Sequence, residues 1–91
     1  MSNFSPEYLA QLEQANLVLA HCHDALDDLD ELLKQPISPD MGITLVMAIG
    51  EAATTVKACS DVGVMPHDVD EVTQRLLRLT IRAKHVVGHL L

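Results

Sequence analysis

Apolar side chains recur at alternating intervals of three and four along three stretches of this chain. That period belongs to α-helices packed nearly parallel in a bundle. The first stretch runs Tyr8, Leu12, Ala15, Leu19, Cys22, Leu26, Leu29 and Leu33. The second runs Met41, Leu45, Ala48, Ala52, Thr55, Cys59 and Val62, and the third Val69, Val72, Leu76, Leu79, Ala83, Val86 and Leu90. With one Phe, one Tyr and no Trp, the core must be built from Leu, Val, Ala, Ile and Met, which suits helix packing better than a β-sandwich.

Local signals divide the stretches. "FSPEYL" at 4–9 and "ISPDMG" at 37–42 echo each other: a serine able to cap, a proline for the first helical position, and an acid that complements the helix dipole. Phe4 is placed to staple onto Leu9. A third start, Asp68-Val69-Asp70-Glu71, has the spacing of a capping box, and Gln35-Pro36 and Gly63 to Pro66 break the periods. The expected helices are about 6–35, 39–61 and 69–90. Short connections make sequential neighbours antiparallel, so the expected fold is all-α: an up-down-up, antiparallel three-helix bundle forming a single domain over 1–91.

Charge is unevenly placed. The total is -7, yet residues 1–71 hold all 13 acids against Lys34 and Lys57, while residues 72–91 carry Arg75, Arg78, Arg82 and Lys84 and no acid. An acidic total argues against nucleic-acid binding driven by phosphate neutralisation. The amino terminus lacks the basic-then-apolar pattern of a signal peptide. The most apolar run, 41–50, falls short of the roughly 20 residues that span a bilayer. Neither a nucleic-acid nor a membrane partner is expected, and the expected compartment is the cytoplasm.

The stretch "AHCHDALDDLDELL" at 20–33 gathers histidines, a cysteine and five acids. Histidine and aspartate on a polar helix face need no ligand to explain them, so the expectation is solvated surface and no cofactor. The competing reading is a four-ligand metal site from His23, Asp27, His85 and His89, each pair four residues apart on its helix. The acids also crowd the carboxyl half of helix 1, where the dipole disfavours them. Arg82, Lys84 and the helix 3 histidines are expected at the level needed to offset them, or a basic partner docks on Asp24, Asp27, Asp28 and Glu31. A turn centred near 37–38 places Cys59 about six residues, roughly 9 Å at 1.5 Å per residue, beyond the point opposite Cys22. The two are therefore expected as separate, reduced, buried thiols.

Enzymatic readings find little support. The all-helical chorismate mutases bind a dianion with several Arg or Lys residues, including ones on the long first helix, where this chain offers only Lys34 at the end. Histidine phosphotransfer domains follow their histidine closely with a lysine, which neither His21 nor His85 has. Ser60-Asp61 and His67-Asp68 come with no oxyanion donor set or phosphate-cradling glycine loop. A non-enzymatic protein is expected.

Helix 2 asks for a partner. Ile43, Val46, Met47 and Gly50 share a face opposite its seam, where a surface helix is normally polar. Such a patch marks an interaction surface. The expectation is a small acidic adaptor, inhibitor or regulator that dimerises through helix 2, with a different protein as the other candidate occupant and Leu17 on helix 1 as a smaller extension.

Overall fold

The computed structural model describes residues 5–36 and 38–90, the side chains of His89 and Leu90 excepted. Helix α1 spans Pro6–Lys34, α2 spans Gly42–Asp61 behind a single 3-10 turn at Pro39–Met41, and α3 spans Pro66–Leu90. Among the described residues there is no strand, and the all-α three-helix bundle read from the periodicity is the fold.

Each boundary has a local cause. Ser5 caps α1 by accepting a hydrogen bond from the Tyr8 backbone N–H at 3.1 Å, with Pro6 in the first turn. The second serine-proline start behaves differently. The Ser38 side chain makes no capping bond; its carbonyl accepts from the Met41 N–H at 3.0 Å, which winds the entry as a 3-10 turn. Helix α2 ends in a Schellman motif: Gly63 adopts φ +81, its N–H reaches Ser60 O, and the Val64 N–H reaches Cys59 O at 3.1 Å. Val64 is buried beneath that turn. Helix α3 then begins at Pro66, three residues before the expected start, because proline is already shaped for a helix's first turn. The Met65 carbonyl accepts from Asp68 and Val69, so the expected capping-box residues lie inside the helix. The Phe4 staple lies outside the described residues.

Interhelical contacts fix the topology. The Cys59 thiol meets Val18 O at 3.9 Å, so α1 and α2 run antiparallel. Arg75 pairs with Asp27 and Arg82 with Asp30, so α1 and α3 run parallel. The core follows the seams: Cys22, Leu26, Leu29, Leu45, Ala52, Cys59 and Val72 are sealed from solvent or nearly so. Val56, outside the expected seam, is also buried, because α2 is wrapped from two sides and a period-3.5 line is narrower than the face two neighbours cover.

The seam fails at one end. Tyr8 and Leu12 are exposed, and burial on α1 starts at Ala15. With Val18 level with Cys59, the turns of α1 before Ala15 extend past the end of α2. Leu12 there shares a small surface pocket with Gly63, Val64 and Met65 of the loop and Asp68 of α3. The molecule is consequently a rod of 60 × 19 × 18 Å, with a radius of gyration of 16.1 Å against about 12 Å for a compact chain of this length.

Candidate functional site

The outer face of α2 begins as a local consequence of sequence. Leu45, Ala52, Thr55, Val56 and Cys59 turn into the bundle, and residues two positions away must then turn out. Ile43 is 76% exposed, and Val46 and Met47 are each 68% exposed. Gly50 completes the row, and a Cβ built there would meet nothing within 4 Å. All four expected residues are therefore together on one open face. Beside them, Val87 of α3 joins Pro39, Gly42, Ile43, Val46 and Met47 around one groove. A second groove between α2 and α3 is lined by Val46, Ile49, Ala83, Lys84 and Val87 among others. The apolar strip thus continues off α2 onto the last turns of α3, which helix-by-helix reading does not show.

Leu17 is 66% exposed but stands apart. Its neighbour Val18 is level with Cys59, nine residues from Gly50, or about 13 Å along α2. The antiparallel run of α1 carries Leu17 towards the far end of α2, so it does not extend the Ile43–Gly50 patch.

The acidic half of α1 is partly answered from within the chain. Arg82 donates to Asp30 at 2.8 Å, Arg75 donates to Asp27, and Lys34 meets Asp30 at 3.5 Å and Glu31 at 3.3 Å. The Arg82 hydrogen bond, helped by Lys34, holds the Asp30 carboxyl below its ordinary value against the opposing effect of burial. Glu31, then Asp30, raise Lys34 above its ordinary value. Asp24 and Asp28 remain exposed. Arg75 was not singled out as a partner from sequence; the parallel run of α1 and α3 was the signal that could have found it.

The metal constellation does not assemble among the described residues, where no group of three His, Cys, Asp or Glu is placed to hold an ion. Asp27 is engaged by Arg75, and His85 lies ten residues further along α3, about 15 Å from that level. The His89 side chain lies outside the described residues.

The cysteines correct an expectation. Both are free and wholly buried, but they are neighbours, with the Cys22 thiol beside that of Cys59. Cα–Cβ bonds tilt towards the amino end of their own helix, and in an antiparallel pair the tilts of Cys22 and Cys59 converge. Rise per residue along the axes could not show this. Burial, then the charge and hydrogen bond of the neighbouring thiol, push Cys59 up to about 11.

By length and composition alone, the 23 residues of Pro39–Asp61 are long and apolar enough to cross a bilayer, an 18-residue stretch within them having a mean hydropathy of 1.2. This revises the sequence reading, which measured only the ten-residue apolar run. Nevertheless α2 packs its inner face into the bundle. No family model, no curated protein and no solved structure matches this chain.

Proposed function

We propose that this chain is a non-enzymatic protein-interaction module that works as a homodimer in the cytoplasm, with the outer face of α2 as its binding surface. The observation that carries the reading is the exposure of Ile43, Val46 and Met47 on a helix whose other face is sealed. Large apolar side chains in a contiguous exposed patch favour a protein partner. Met47 adds an adaptable contact. The total surface supports it too. The chain exposes 6503 Å², roughly a quarter more than the about 5,200 Å² of a typical folded monomer of 9.9 kDa. That excess, about 1,300 Å², is larger than one partner's share of a standard interface, about 800 Å². Two buried free thiols suit a reducing compartment.

Light-scattering mass over a dilution series tests the reading, with and without a chelator. The expected result is twice 9.9 kDa at high concentration, unaffected by the chelator. Met47→Asp shifts the mass to monomer while helical content is retained. A wild-type protein that stays monomeric at every concentration overturns the homodimer, and a mass that collapses with chelator returns the histidines to the centre of the question.

A further inference from the structure

The outer face of α2 carries more than apolar residues. Asp40, in the 3-10 turn that leads into α2, and Ile43, Met47, Gly50, Thr54 and Lys57 on α2 follow one another at intervals of three, four, three, four and three, and all six are exposed; Asp61, also exposed, lies four residues further on. From Asp40 to Lys57 the spacing is symmetric about its midpoint, setting acid against base at the ends, Ile43 against Thr54, and Met47 against Gly50. Two chemical mismatches within the monomer mark the same row. Asp40 and Lys57 join no ion pair among the described residues. Gly50 sits mid-helix with open space where a side chain would go, so nothing inside the chain requires a residue with such low helix propensity.

Resting on the homodimer reading, we propose that two copies pack α2 against α2 in antiparallel two-fold register, each copy's Asp40 facing the partner's Lys57 and each Met47 seated over the partner's Gly50. Charge complementarity selects a second copy of this chain as the occupant. Two chains that each carry -7 repel one another in general, but antiparallel two-fold pairing sets the oppositely charged Asp40 and Lys57 together twice over, with Asp61 lying beyond them. The alternating three-four spacing is that of helices that supercoil around each other. Size complementarity acts at the centre, where the missing Gly50 side chain leaves room for a methionine.

Cysteine cross-linking reads the register. Ile43→Cys and Thr54→Cys are prepared separately, both at exposed positions outside the core. In antiparallel register each new thiol is about 16 Å along the axis from its own copy, beyond disulfide reach, but directly opposite the other variant's thiol. The expected result under a small disulfide oxidant is a covalent dimer in the mixture, assigned to 43–54 by peptide mass, with at least a tenfold lower yield from either variant alone. Ready cross-linking of Ile43→Cys with itself means a parallel pair and overturns the proposal. A dimeric protein that forms none of these cross-links also overturns it and directs attention to Tyr8, Leu9 and Leu12 on the projecting end of α1. If the wild-type protein is monomeric, the homodimer reading fails first, and the two failures are thereby distinguished. The ends of the row are checked independently. Lys57→Asp sets two carboxylates opposite each other and weakens association about tenfold, and adding Asp40→Lys restores it to within about threefold. Absence of that rescue, with circular dichroism unchanged, overturns the ion pairs.

Discussion

Leu45 and Met47 stand two residues apart on one helix, are close in size, and have opposite fates: Leu45 is 1% exposed and Met47 is 68% exposed. The difference is one of geometry alone. Helix α2 has apolar side chains on both its inner and its outer face, but α1 and α3 cover only the side holding Leu45, Ala52, Thr55, Val56 and Cys59. Hydropathy therefore fixes how much of a helix would gain from burial, and the number of neighbours fixes how much does. The inner face supplies stability to the single chain. The outer face is left available for whatever meets the chain.

The largest test of this contrast is truncation on each face. Leu45→Ala, or Leu26→Ala on α1, empties a sealed position and is expected to cost about 3 kcal/mol in urea unfolding. Ile43→Ala, measured on protein diluted to monomer, is expected within about 0.5 kcal/mol of wild type. Equal losses on the two faces would break the distinction.

Two glycines sharpen it. Gly63 holds φ +81 in the turn that ends α2, so Gly63→Ala is expected to lower stability by about 1–2 kcal/mol. Gly50 has no such duty, and Gly50→Ala is expected to raise monomer stability by about 1 kcal/mol while loosening self-association. Thermal melts at low concentration and mass at high concentration separate the effects. A variant that is both stabler and equally dimeric would remove Gly50 from the interface.

The thiols probe how completely the inner face is sealed. With Cys59 raised to about 11, its thiolate fraction at neutral pH is down by roughly a hundredfold from that of a free cysteine, before exclusion by packing is counted. A chromogenic disulfide reagent should therefore react with the native protein far more slowly than with protein in denaturant. Similar rates would mean that the α1–α2 seam opens readily.

The smallest expected effect lies on the third surface, where α3 answers the acids of α1. The Asp30 carboxyl is held low in the folded chain, so its contribution is present above the unfolded carboxylate pKa and is lost as pH falls through the folded value. Unfolding midpoints taken from pH 6 downward should show part of the acid-side decline flattened in Asp30→Asn. An identical profile would show that Arg82 and Lys34 add nothing there.

Much of the architecture was legible because helices and their ends are local. Three periods of 3.5 and the serine-proline starts at Pro6 and Pro39 indicated the element count, Pro66 was read as a break although α3 begins there, and Gly63 marked a stop at which the backbone has a positive φ. The outer-face row of Ile43, Val46, Met47 and Gly50 was legible for the same reason, since it needs only the pitch of one helix. What escaped the sequence depends on where one helix lies against another. The overhang that exposes Tyr8 and Leu12 follows from unequal helix lengths and the level at which α2 ends. The meeting of Cys22 with Cys59 follows from converging Cβ tilts, and the capture of Asp27 by Arg75 from the parallel run of α1 and α3. The sequence by itself determined that the chain is helical, where it turns, and which side of each helix is apolar, because those follow from dihedral preferences and a fixed pitch. Only the tertiary structure decided which apolar side is covered and which thiols and charges become neighbours, because axial level and helix overlap are set by packing three helices at once.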